Sequence, residues 1–218
     1  MIVKYIRSYY MIRVEHNDSK WKFPFVSYTS EVQDSDLPLV IQLHGAGERG
    51  SGNEDLSLVD VHGFSKLFSK SDYPCVAVMP QCPEGSFWVA HVESLLEFIQ
   101  QIIAEFRIDR KRVYLTGLSM GGFGTWFTAM AKPQLFAAIA PVCGGGMPWN
   151  AGVLRMPAWV FHGAQDTTVT PRNSDEMVEK MLSLDYEVKY TRVDGVGHNV
   201  WEIAYTEELL NWLLSKSL

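Results

Sequence analysis

The stretch Val113-Tyr114-Leu115-Thr116-Gly117-Leu118-Ser119-Met120-Gly121, continued from Phe123 to Ala131, changes texture twice. Val113 to Thr116 is a short β-forming run, Gly117 to Gly121 reads G-x-S-x-G, and Phe123 to Ala131 forms a helical run. A strand that turns sharply into a helix presents the central side chain, Ser119, at the end of a sheet. The flanking glycines suit that turn, because the serine occupies a strained conformation and side chains two positions away would meet the neighbouring strand and helix. The motif is short enough to arise by chance, with a serine capping a glycine-rich helix start as the plain alternative; the strand before it and the helix after it favour the elbow.

Working outward, the same alternation recurs. Leu39 to Leu43, Cys75 to Met79, Phe136 to Val142 and Ala158 to Phe161 are nearly continuous apolar runs, the pattern of strands buried on both faces. Between them, His91 to Phe106, Asp175 to Leu184 and Trp201 to Leu214 place apolar residues at helical spacing. Strands alternating with helices predict right-handed crossovers and a doubly wound, mostly parallel α/β sheet with helices on both faces. Ahead of it, Tyr5 to Val14 and Lys22 to Thr29 flank a polar turn at His16 to Ser19 and predict an antiparallel hairpin. No repeat or linker-like stretch divides the chain, so residues 1–218 are expected to form a single domain.

Composition narrows the partners. The 218 residues carry a net charge of −6 with basic residues scattered, which argues against nucleic acid. The uncharged windows Val113 to Ala131 and Phe136 to Leu154 are interrupted by glycines, and the second by prolines, so neither reads as a membrane span. Three cysteines without a C-x-x-C pair suggest neither a disulfide framework nor a zinc site. With no apolar leader among Met1 to Val14, the expected compartment is the cytoplasm.

In a doubly wound sheet the chemistry sits in loops at the carboxyl ends of the strands. A serine hydroxyl is a poor nucleophile until a base takes its proton and an acid orients that base, and in this architecture they follow in the order Ser, Asp or Glu, His. Asp166 lies in His162 to Val169, after the run Ala158 to Phe161, and His198 lies in the glycine-rich Asp194 to Asn199, after the run Glu187 to Val193. Asp175 and Asp194 are lesser rivals for the acid. Among the other histidines, His16 lies in the hairpin turn, His62 and His91 lie near helix starts, and His162 is too close to Asp166 for the order. His44 and His162 end strands, where local hydrogen bonds position them.

Gly45-Ala46-Gly47-Glu48-Arg49-Gly50 matches G-x-G-x-x-G, the dinucleotide fingerprint, yet hydrophilic, acidic residues follow where an apolar helix would be required. The better use of this loop is as an oxyanion site. The backbone N–H of Met120 would share the developing charge with one from His44 to Gly47, with Ala46 the chosen donor and Gly45 and Gly47 the alternatives.

His44 to Gly50, the Met79-Pro80-Gln81-Cys82-Pro83 segment leading to Trp88, Gly117 to Gly124, and Gly197-His198-Asn199 with Trp201 and Tyr205 together resemble the α/β-hydrolase superfamily. The likeness is to its small predicted-peptidase and carboxylesterase branch, related to dienelactone hydrolases, feruloyl and acetyl xylan esterases and polyhydroxybutyrate depolymerases. It implies Ser119 as nucleophile, Asp166 as acid, His198 as base, and Ala46 and Met120 as oxyanion donors. A serine in place of the cysteine of true dienelactone hydrolases disfavours that activity.

The expected reaction is hydrolysis of short-chain or aromatic carboxylic esters, sugar-linked ones included, with no metal or cofactor. A serine peptidase of the same fold and a non-catalytic ligand-binding protein are the alternatives. Only Cys143 to Pro157 separates two successive strand runs, so no large lid is expected. Substrate contacts are then assigned to Gly45, Gly47, Gln81, Trp88 and Trp149, within or beside the loops Glu48 to Asp60, Pro83 to His91 and Gly144 to Leu154, with Phe87, Trp88 and Trp149 considered as an aromatic wall.

Overall fold

A computed structural model describes residues 10–30 and 36–218. Its strands are β1 (Ile12–His16), β2 (Phe25–Thr29), β3 (Leu37–Leu43), β4 (Val76–Pro80), β5 (Ile108–Leu118), β6 (Ala138–Val142), β7 (Ala158–Gly163) and β8 (Val188–Val193). They form one sheet in the order β1-β2-β4-β3-β5-β6-β7-β8. β1 and β2 pair antiparallel, β2 runs antiparallel to β4, and every later pairing is parallel. The expected hairpin is present from Ile12 onward; the portion from Tyr5 to Tyr9 lies outside the described residues.

Period-two alternation explains why the strand sequences look uniformly apolar. Leu39, Ile41, Leu43, Val113, Leu115, Ile139 and Val160 point into one layer, together with Leu95, Phe98, Ile99 and Ile102 of α2 (Val92–Glu105), Trp126 and Ala129 of α3 (Met120–Ala131), and Met177 and Met181 of α4 (Arg172–Leu182). Val40, Tyr114, Ala138, Ala140, Trp159 and Phe161 point the other way. There they meet Phe68 of α1 (Ser65–Phe68), Ala204 of α5 (Trp201–Ala204), and Leu209, Leu210 and Leu213 of α6 (Glu207–Leu214). The strands inside the sheet therefore feed two cores, with helices covering both faces, while β1 at the edge stays exposed.

The run expected as one helix from Trp201 to Leu214 is two. Tyr205 turns into the core with its hydroxyl 3.2 Å from Thr116 Oγ1, and Thr206, in extended conformation, accepts a bond from Leu209 N–H that starts α6. Between β6 and β7 the chain makes only a 3-10 turn at Pro148–Val153, and no large lid is built there. Among the described residues no helix is long and apolar enough to cross a membrane.

Candidate active site

β5 ends inside the G-x-S-x-G, and α3 starts one residue after Ser119. Ser119 has φ 53° and ψ −115°, a conformation that costs about 1–3 kcal/mol in a residue with a side chain and persists only when its surroundings enforce it. They do so by contact: a Cβ at Gly121 would drive into the carbonyl of Leu43, and one at Gly117 into the carbonyl of Gly121. Ser119 N–H donates to Val142 O at 2.9 Å, which ties the turn to the neighbouring strand. Met120, at the first position of α3, has its N–H at a helix N-terminus, where backbone donors lack intrahelical partners.

Ser119, His198 and Asp166 form one hydrogen-bonded chain. Ser119 Oγ lies 2.8 Å from His198 Nε2, and His198 Nδ1 lies 2.7 Å from Asp166 Oδ2. Asp166 Oδ1 accepts the N–H groups of Thr168 and Val169, both at 2.9 Å. Burial alone would raise the pKa of Asp166, but the bond to His198 and the two backbone donors outweigh it and hold the carboxyl below its ordinary range. The Asp166 side chain is wholly buried, while His198 keeps an exposed edge. The ring of Trp201 stands perpendicular to that of His198, with centroids 5.3 Å apart.

The acid and histidine loops are joined by backbone. Ala164 N–H and Gln165 N–H donate to Val193 O and Val196 O, both at 2.9 Å, and a Cβ at Gly163 would drive into the carbonyl of Gly197. His162, as expected of a strand-end histidine, is satisfied locally, 2.7 Å from Ser174 Oγ and 2.8 Å from Val169 O. Burial depresses its pKa, which keeps the ring neutral beside Asp166, 3.4 Å away.

The loop after β3 lies against the serine: a Cβ on Gly45 would sit 3.8 Å from Ser119 Cβ. His44 is buried, accepts Cys82 N–H on Nε2 at 2.9 Å, and so carries its proton on Nδ1, which donates to Gly45 O at 2.6 Å. Desolvation lowers its pKa to about 4. Because N–H and C=O point oppositely across a trans peptide, drawing Gly45 O toward His44 turns Ala46 N–H away from His44. Arg49 clamps the same loop, donating to Ala46 O at 2.7 Å and Ser86 O at 3.1 Å. The residues after Gly45 form a 3-10 turn at Ala46–Glu48, and Gly50 bridges to Pro83, so this G-x-G-x-x-G opens no phosphate-facing helix.

Two of the residues assigned to substrate, Gln81 and Trp88, are buried and used as scaffold. Gln81 is buried and spends its amide on Gly52 N–H, Glu48 O and Asp55 O, a brace between loops. Trp88 is also buried, its Nε1–H donating to His44 O at 3.1 Å behind the loop. Trp149, 80% exposed, lines a surface depression with Pro148, Glu176, Glu179, Lys180 and Ser183. Gly45 does abut Ser119, whereas Gly47 stands at the exposed crest of the loop.

Cys143 escapes sequence reasoning. Its Sγ, a carboxylate oxygen of Asp166 and a ring nitrogen of His198 lie within 4.8 Å of one another, a grouping of the kind that can hold a metal. Here the carboxylate and imidazole already bond each other, and burial pushes the thiol up to about 12, leaving it protonated and unreactive.

A profile of the prolyl oligopeptidase family matches residues 89–146. Poly(3-hydroxyalkanoate) depolymerase C of Paucimonas lemoignei is 27% identical over 221 residues, covering 78% of this chain and 51% of the depolymerase. The bifunctional acetylxylan esterase/xylanase XynS20E of Neocallimastix patriciarum is 30% identical over 129 residues, covering 57% of this chain and 18% of that protein. The crystal structure of a thermostable esterase superposes with a TM-score of 0.77 at 30% identity, over 95% of this chain and 63% of the other. The chain thus spans about half the length of the depolymerase it matches. The sheet order, the strained serine between β5 and α3, and the superposition on the esterase show that the chain has the α/β-hydrolase fold.

Proposed function

We propose that residues 1–218 act as one α/β-hydrolase domain, a serine carboxylesterase working through an acyl-enzyme. The observation that carries this is the chain from Ser119 Oγ through His198 to the buried Asp166, with both links at 2.7 to 2.8 Å. His198 Nε2 takes the Ser119 proton as Oγ attacks the ester carbonyl, and the imidazolium is stabilised by Asp166. The oxyanion is received by Met120 N–H and Ala46 N–H, each donor of this kind lowering the barrier by about 3–4 kcal/mol. His198 passes its proton to the leaving alcohol, then activates the water that releases the acid from Ser119. The cycle uses side chains and backbone alone.

Short-chain and aromatic esters, sugar-linked ones included, are the favoured substrates, because the β6 to β7 connection holds only a short 3-10 turn and no large lid. Relatives named as a depolymerase and as an acetylxylan esterase support ester chemistry. The prolyl oligopeptidase profile supports a second reading, a peptidase with the same residues. Three buried, unpaired cysteines support a reducing compartment.

Hydrolysis of nitrophenyl acetate and butyrate, beside a matched peptide amide, separates these readings. Ester turnover that disappears in Ser119→Ala is the expected result. Equal, slow hydrolysis by wild type and variant would leave a binding protein, and faster amide cleavage would make the enzyme a peptidase.

A further inference from the structure

Glu48 stands out in the loop that borders Ser119. Its side chain is 16% exposed, and its Oε2 is buried without a hydrogen-bond partner among the described residues. A Cβ on Gly45 would lie 3.1 Å from Glu48 Oε2 and 3.8 Å from Ser119 Cβ, so carboxylate and nucleophile flank the same glycine. The groups nearby leave it unpaired. His44 Nδ1 is 3.9 Å away, but that proton is committed to Gly45 O and the ring is neutral, with its pKa at about 4. Arg49 is the adjacent cation, yet its guanidinium bonds Ala46 O and Ser86 O and stacks over Phe87 at 5.3 Å. A buried carboxylate oxygen with no donor is costly, and such a group beside a nucleophile calls for a functional partner.

We propose that Glu48 is a specificity-determining residue that accepts a hydrogen bond from a hydroxyl group carried by the substrate. The inference rests on the reading of Ser119 as the nucleophile, which fixes where the scissile carbonyl sits. A hydroxyl is favoured over an ammonium because Arg49 already balances the formal charge of the loop. An ester without that donor leaves the carboxylate desolvated and unpaired, and sites built to bond a substrate hydroxyl discriminate strongly against the analogue lacking it. The hydroxyl can belong to the acyl group, as in a hydroxy acid, or to the alcohol, as in a polyol or sugar. Two substrate pairs distinguish these sources.

The test compares kcat/KM within each pair for wild type, Glu48→Gln and Glu48→Met. One pair is nitrophenyl 3-hydroxybutyrate against nitrophenyl butyrate; the other is glycerol monobutyrate against propyl butyrate. Wild type is expected to prefer the hydroxylated member of one pair by about 10-fold to 100-fold, the range of a hydrogen bond to a charged group. The preference shrinks in Glu48→Gln, which keeps one acceptor without charge, and is lost in Glu48→Met, which keeps the length without an acceptor. A ratio within one protein is unmoved by general damage, and if Glu48→Met fails to fold, Glu48→Gln carries the comparison, an undiminished preference there overturning the proposal. No preference in either pair overturns the proposal, as does a preference that survives in Glu48→Met. So does stronger selection for nitrophenyl 3-aminobutyrate than for its hydroxy analogue. Failure of the esterase reading is seen separately, as butyrate turnover that persists in Ser119→Ala.

Discussion

At Asp166, burial favours the neutral acid while three donors favour the anion, and the donors win. An ionised carboxylate at this depth fixes the His198 tautomer with Nδ1 protonated and Nε2 free to receive the Ser119 proton. Asp166→Asn keeps the shape but offers an amide, so kcat for nitrophenyl acetate is expected to fall about 10⁴-fold with little change in the unfolding midpoint. His44 is governed by burial in the opposite sense, its pKa falling from 6.5 to about 4. Between those values the unfolded chain binds a proton that the folded chain refuses, so acidification from pH 6.5 to 4 removes up to about 3 kcal/mol of stability at this residue. Urea unfolding at pH 7 and pH 4.5 should show a smaller drop for His44→Gln than for wild type. The nucleophile, acid and base candidates were legible in the sequence because each falls after a strand in the required order. Glu48, Arg49 and Cys143 were not: what singles them out is burial and neighbours contributed by distant segments, which no local pattern records.

Among the elements, the elbow and the two loops opposite it are held by backbone contacts that admit only glycine. Gly121 lies against Leu43 of β3, so Gly121→Ala overpacks β3 against α3 and should cost about 3 kcal/mol in urea denaturation. Gly163 lies against Gly197, next to the base. Gly163→Ala pushes the His198 loop outward, and since a displacement near 1 Å can cost about 100-fold, kcat should fall far more than KM rises. The strand runs were readable because both faces of the sheet are apolar, and the amphipathic spacing of α2 announced that helix within a residue or two at either end. The break between α5 and α6 was not readable, because Tyr205 leaves the helix to reach Thr116 across the core, a tertiary contact that overrides a continuous helical pattern. Trp88 and Gln81 misled for a related reason. Loop residues near a site can serve as its scaffold, and sequence does not say which way their side chains turn.

For the molecule as a whole, the sheet order gathers the ends of β3, β5, β7 and β8 at one edge, and the β6 to β7 connection contributes only a short 3-10 turn rather than a lid. An uncovered site predicts that the rate on tributyrin rises smoothly through the solubility limit of the substrate, without the jump that lid opening at an oil surface would produce. It also predicts that rates fall from butyrate to palmitate nitrophenyl esters, as the short β6 to β7 turn offers a long acyl chain little surface to lie against. These expectations depend on Ser119 being the group that carries the acyl chain. The most direct measurement is mass spectrometry after a fluorophosphonate probe, read beside nitrophenyl acetate turnover. A single adduct on the peptide containing Ser119, with labelling and turnover both lost in Ser119→Ala, is the predicted result. Labelling at another residue, or turnover that survives in Ser119→Ala, would contradict the account.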